Sequence, residues 1–272
     1  MKQLTKNIFV ETKWSGANVG CIVTADGLVM IDTPHCPSDA VVWKKEVESK
    51  GTVKYIINTE PHDDHFFCDF FFKVPVVAHE KTREAIVKAD VKKMMEPIAF
   101  KDPAGLSLVK DYKINMPAIT FSERLTLYLG RISFQLTYLP GHSLGQTAVL
   151  IPEERVVFTG DNVTYKLQGF LHTADPYAWL ESLERIGEMD VDYIVPGHGE
   201  VCDKSFLPEQ TEFVQDCIDK IKKAIKQGWT KEEAIARVSF ARYPLDAGLE
   251  EHGKFLLEQS VSNMYNFLSK KK

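Results

Sequence analysis

Four of the eight histidines in this sequence, together with three carboxylates, stand in loops that directly follow predicted strands. They are Glu60, His62, Asp64 and His65 in Asn58-Thr59-Glu60-Pro61-His62-Asp63-Asp64-His65, His142 in Leu139-Pro140-Gly141-His142-Ser143-Leu144-Gly145, Asp161 in Thr159-Gly160-Asp161-Asn162, and His198 in Val195-Pro196-Gly197-His198-Gly199. Imidazole and carboxylate are the ligands that divalent transition metals accept when no thiolate is offered, and strand-end loops can gather them from distant positions. Glycine beside the ligands lets the backbone bend without a Cβ penalty. A lone histidine would be read as a cap, turn or satisfied core residue, but an ordered set at strand ends points to a metal pocket.

The elements that must carry these loops are legible in outline. Ile8 to Trp14, Val19 to Thr24 and Leu28 to Ile31 read as short antiparallel strands separated by Ser15-Gly16 and Asp26-Gly27. A helix follows from Ser38, as N-cap, to Glu48, with Gly51 past its end. Val53 to Ile57, apolar apart from Lys54, predicts a strand buried on both faces that delivers the chain into the first ligand loop. A strand at Val74 to Ala78 and a helix from Glu80 to Met95 complete one β/α half. Strands at Leu125 to Leu129, Ile132 to Tyr138, Thr147 to Ile151 and Val156 to Phe158, a helix from Tyr177 to Glu188 and a strand at Tyr193 to Val195 make a second. Two sheets faced by helices follow. From Leu207 onward the spacing is helical, through Phe213, Cys217, Ile221 and Ile225, with further helices at Lys231 to Arg237 and Leu249 to Leu268. Residues 96–118, interrupted by Pro97, Pro103, Gly105 and Pro117, read as a connector packed on the core, with a lid over the pocket as the alternative.

In this order and over Ile8 to Glu200, the loops resemble those of the metallo-β-lactamase superfamily, whose metal motifs run HxHxDH, PGH, GD and GHG. The resemblance implies an α+β fold, a four-layer αββα sandwich of two similar halves, as a single domain over 1–272 with a metal-binding core (1–203) and C-terminal helices packed on it (204–272). It implies two divalent metal ions, zinc foremost: Glu60, His62 and His142 on one, Asp64, His65 and His198 on the other, and Asp161 between them. A hydroxide held by the metals would be the nucleophile, with Asp64 orienting it. The sequence departs from the pattern at Glu60, where the family usually has histidine. A third anionic ligand lowers the net positive charge of the pair and raises the pKa of its water, and the harder oxygen donor favours Mn2+ or Fe2+ in that position. Phe66-Phe67-Cys68 replaces the glycines common after the motif; Cys68 is read as a buried thiol rather than an accessory ligand. His172 and Tyr165 are candidate substrate contacts. His79 reads as structural, and His35 and His252 as surface or core residues.

The favoured function is hydrolysis of a labile acyl bond (lactone, thioester, ester or β-lactam) in a small molecule. Two alternatives come from other classes: a non-haem di-iron oxidoreductase on the same fold, and a binding or regulatory module with weak turnover. A net charge of -5 with dispersed Lys and Arg gives no footprint for nucleic acid. Five cysteines without CxxC spacing suggest neither a disulfide framework nor a thiolate zinc site, and fit reduced thiols in a cytoplasm. The N-terminal apolar stretch is broken by Asn7, Glu11 and Lys13, so neither a signal peptide nor a membrane anchor is expected. A homo-oligomer is left open.

Overall fold

The computed structural model describes residues 1–245 and 250–270. Its first sheet contains seven strands in sequential order: Lys2–Gln3 (β1), Ile8–Glu11 (β2), Val19–Thr24 (β3), Gly27–Ile31 (β4), Val53–Ile57 (β5), Val76–His79 (β6) and Ile119–Phe121 (β7). β1 to β4 pair antiparallel, as hairpin turns require, whereas β4 to β7 run parallel. The second sheet holds Arg124–Leu129 (β8), Ile132–Tyr138 (β9), Thr147–Ile151 (β10), Val156–Phe158 (β11) and Tyr193–Val195 (β12), in the order β12-β11-β10-β9-β8, with only β11 and β12 parallel.

Side-chain alternation explains the layers. In β4, Val29 and Ile31 join Val149, Ile151, Val156 and Phe158 in a core between the sheets. Leu28 and Met30 point the other way, onto Trp43 and Val47 of helix Pro37–Glu48 (α1). β10 and β11 do the same, turning Ala148 and Val157 onto Trp179, Leu183 and Ile186 of helix Pro176–Gly187. Strands buried on both faces need such continuous apolar runs, and the result is the αββα sandwich. Leu207–Lys226 contributes Phe213, Cys217 and Ile221 to the same outer cluster, as one stripe of a 3.6-residue repeat, and Glu250–Ser269 adds Val261, Met264 and Leu268.

Boundaries differ from the sequence expectation where side chains capture backbone donors. The strand from Ile8 stops at Glu11, whose carboxylate accepts from the amides of Thr12 and Lys13 at 3.1 Å each. Helix α1 starts at Pro37 rather than after Ser38, and the Ser38 amide and hydroxyl are instead bound by Asp102, both at 2.8 Å. The predicted helix from Glu80 to Met95 is two helices, Glu80–Val87 and Val91–Lys101, because Asp90 caps a new start by accepting from Lys92 N at 3.0 Å. Leu249, the predicted start of the last helix, lies outside the described residues. Residues 96–118 pack down: Ile98, Leu106, Val109 and Tyr112 join Phe66 and Phe67, with the Tyr112 ring stacked on Phe67 at 4.4 Å. No described helix is long and apolar enough to cross a membrane.

Candidate metal centre

The parallel strands bring the ligand loops to one edge. β5 leads through a bend into Glu60 and His62, and the chain then makes one helical turn, Asp63–Phe66, which carries Asp64 and His65. Asp161 follows β11 and His198 follows β12, so the parallel register of that pair places both loops side by side. His142 occupies the connection from β9 to β10. Two contacts tie the sheets together here: Thr147 N donates to Thr59 O at 2.7 Å, and Asn18 holds the last loop through Pro196 O and Gly199 O at 2.8 and 2.7 Å.

All seven side chains converge. Ligand atoms of Glu60, His62 and His142 lie within 4.8 Å of one another, as do those of Asp64, His65 and His198, and those of Glu60, His65 and Asp161. His62 Nδ1 is 2.5 Å from Glu60 Oε2 and 3.2 Å from His142 Nε2. His198 Nε2 is 3.2 Å from Asp64 Oδ2 and 3.4 Å from Asp161 Oδ2. Asp161 Oδ1 is 3.3 Å from His65 Nε2.

The donor set fits a divalent metal. Glu60 Oε2, His65 Nε2 and Asp161 Oδ1 are buried without a hydrogen bond, an arrangement that is costly unless a cation satisfies it. The loop backbones leave space only for these groups: a Cβ on Gly197 would stand 1.9 Å from Asp161 Oδ1, and one on Gly141 2.4 Å from Asn162 Oδ1. Electrostatics agree. Burial alone would depress the imidazoles, yet Glu60 and the neighbouring aspartates push His62 up to about 9 and His65 well above its ordinary range. On His142 burial wins over Glu60 and Asp161, and the ring stays low. Asp64 and Asp161 would be raised by burial, but His65 and His198 hold both far below the usual carboxylate range. Glu60, raised by burial and by Asp161, is brought below its ordinary value by His62, His65 and His142. Three carboxylates facing four imidazoles make a pocket whose field favours a cation.

A supporting layer escaped the sequence reading. Asp32, directly after β4, accepts from Thr59 N at 2.8 Å and Thr59 Oγ1 at 2.6 Å, and its Oδ2 lies 2.9 Å from His65 Nδ1. Such a carboxylate orients the ring and turns Nε2 toward Glu60 and Asp161, where it could bind a metal. Asn162 accepts from His142 N at 3.0 Å and donates to Leu139 O at 2.8 Å. Thr173 Oγ1 lies 3.2 Å from His62 Nε2 and donates to His142 O at 3.0 Å. The one sequence sign of Asp32 was its position at a strand's C-terminal end, the sign shared by the ligands themselves.

The remaining candidates separate clearly. His172 lies against the site, its ring centroid 5.1 Å from that of His62 with a 31° tilt, and burial together with His62 and His142 lowers its pKa to about 2. Tyr165 turns its ring to Phe206, 4.7 Å away, while its backbone N–H donates to His198 O at 2.9 Å. Cys68 is buried and donates to His35 O at 3.4 Å. His79 caps helix Glu80–Val87, stacks on Tyr138 at 4.0 Å and bonds Ser122 O at 2.7 Å. His35 is a buried residue.

The C-terminal helix reaches this edge too. Ser260 Oγ accepts from Leu171 N at 2.8 Å, and Asn263 Nδ2 donates to Leu171 O and Ala174 O at 2.7 and 3.0 Å, pinning the loop that carries His172 and Thr173. We expect Asn263→Ala to free that loop, lowering its local opening free energy by about 1–3 kcal/mol. Hydrogen exchange at the Leu171 amide should then speed up by roughly five- to 150-fold, and unchanged exchange would show that Asn263 does not hold the loop.

Residues 12–198 match the family model of the metallo-beta-lactamase superfamily, and the chain belongs to that family. Among curated relatives, it is 26% identical over 228 residues to a metallo-beta-lactamase type 2 of Elizabethkingia meningoseptica, covering 80% of this chain and 82% of that one. It is 28% identical over 184 residues to the 2,4-dinitroanisole O-demethylase subunit alpha of a Nocardioides species, covering 63% of this chain but only 49% of that relative. Of solved structures, a metallo-beta-lactamase from Pontibacter korlensis superposes with a TM-score of 0.63 at 20% identity, over 79% of this chain and 97% of that one. The helices after residue 198 lie beyond the family match.

Proposed function

We propose that this protein is a dinuclear metal-dependent hydrolase that cleaves a labile acyl bond, of lactone, thioester, ester or β-lactam type, in a small molecule. The observation that carries this reading is the convergence of two donor groups, one with Glu60 and one with His65, joined by a third that contains both together with Asp161. Two divalent ions, Zn2+ foremost with Mn2+ or Fe2+ in the Glu60 subsite, would be held by Glu60, His62 and His142 and by Asp64, His65 and His198, with Asp161 between. When bound, they supply Lewis acidity and an activated water.

The chain's own residues supply the rest. Asp64 is the most accessible of the three carboxylates, at 21% side-chain exposure against 10% for Asp161 and 0% for Glu60, so it is the one placed to orient an attacking water. His172, on the rim beside His62, would contact the substrate. Tyr165 acts on the site through its backbone. We place the activity in the cytoplasm, in keeping with five unpaired thiols, and expect neither nucleic acid nor membrane as partner.

The test is to load purified protein with Zn2+, Mn2+ or Fe2+, count metal per chain, and screen lactones, thioesters, esters and β-lactams. The relative named for 2,4-dinitroanisole adds that aryl ether to the screen. We expect turnover of one class that falls roughly a thousand-fold, about 4 kcal/mol, in His142→Ala. Turnover indifferent to that substitution, or none from fully loaded protein, would refute the proposal.

A further inference from the structure

Glu60 faces two ways. Its Oε2 lies 2.5 Å from His62 Nδ1 and 3.8 Å from His142 Nε2. Its Oε1 lies 3.4 Å from His65 Nε2, and is held there by the Asp161 amide, which donates to it at 3.2 Å. The side chain is fully buried, so neither oxygen has solvent as an alternative. Asp161 spans the same gap, with Oδ1 toward His65 at 3.3 Å and Oδ2 toward His142 and His198 at 3.6 and 3.4 Å. A terminal ligand of the first subsite would present one oxygen to His62 and His142 and leave the other turned away from His65.

We infer that Glu60 is a second bridging carboxylate, one oxygen for each ion, so that the centre has a double carboxylate bridge from Glu60 and Asp161. The inference rests on the proposed metal-dependent reading and extends it from one subsite to both. Glu60 replaces a neutral imidazole, which can offer one lone pair to one ion, with an anion that offers a donor to each. The set around the second ion then becomes Glu60, Asp64, His65, Asp161 and His198, with three oxygen donors among five. Such sets suit Mn2+ or Fe2+, which accept more than four ligands, better than tetrahedral Zn2+. With the bridge, Mn2+ or Fe2+ takes the place of zinc as the expected ion at both positions.

Two measurements with Mn2+ alone test this. Anomalous scattering from Mn2+-loaded crystals of the wild-type protein should find two ions, with Glu60 Oε1 ligating one and Oε2 the other. In Glu60→His, where one imidazole can serve only one ion, the Mn2+ at the Asp64, His65 and His198 cluster loses one donor, and its affinity in a Mn2+ titration should fall roughly tenfold or more. Unchanged Mn2+ affinity at that cluster in Glu60→His, or both Glu60 oxygens on one ion in the wild type, would overturn the bridge and leave the hydrolase reading standing. Wild-type protein that takes up no Mn2+, Fe2+ or Zn2+ would overturn both.

Discussion

Asp161→Ala should lose metal and activity together, with kcat/KM down by at least roughly a thousand-fold, about 4 kcal/mol or more of transition-state stabilisation. The aspartate stands between the two clusters, its oxygens 3.3 to 3.6 Å from His65, His142 and His198. Alanine removes a negative charge from the midpoint of the site and leaves the histidines facing one another across a gap. His65 and His198 also lose the partner that helps hold them in place. The lost contacts are confined to side chains of the site, so far-UV circular dichroism should be unchanged. Metal per chain and kcat/KM are the readouts. Full metal content at wild-type rates would remove Asp161 from the centre.

How much of this was legible follows from what each feature depends on. The ligand loops were readable because strand ends concentrate them: Val53–Ile57 is apolar apart from the exposed Lys54, and it runs directly into a polar block dense in His, Asp and Glu. The helical C-terminus was readable from the spacing of Phe213, Cys217 and Ile221. Contacts across the chain were not. Asp102 reaching Ser38 and Asn263 reaching Leu171 span 64 and 92 residues, and nothing local to either side chain announces its partner. Tyr165 looked like a site residue because it follows Asp161 closely, yet the isolated bridge between Thr164 and His198 sets the strand direction that turns its ring to Phe206. The division of Glu60 between two clusters is a property of side-chain rotamer and burial, which sequence spacing does not encode.

The supporting layer carries the other large effect, and Asp32→Asn isolates it. Asp32 has φ of 54°, a left-handed conformation that asparagine tolerates and alanine does not, so the amide is the substitution that leaves the backbone in place. Its carboxylate accepts from three directions: Thr59 N, Thr59 Oγ1 and the His65 Nδ1–H. An amide has one acceptor and one donor end. Whichever way it turns, its NH2 meets either the Thr59 amide or the His65 ring. If it meets His65, the ring must move its proton to Nε2, the atom that faces Glu60 and Asp161. If it meets Thr59, a buried donor is left opposing a donor, at a cost of about 1–3 kcal/mol. We expect the first, since a tautomer change is the cheaper response, and therefore a fall of roughly 10- to 100-fold in affinity for the ion held by His65, with activity falling in step. A metal titration followed by nitrogen-15 NMR of the His65 ring reads both the affinity and the tautomer. Wild-type affinity with the Nε2 atom still unprotonated would mean that Asp32 only packs beneath the site and does not orient its ligand.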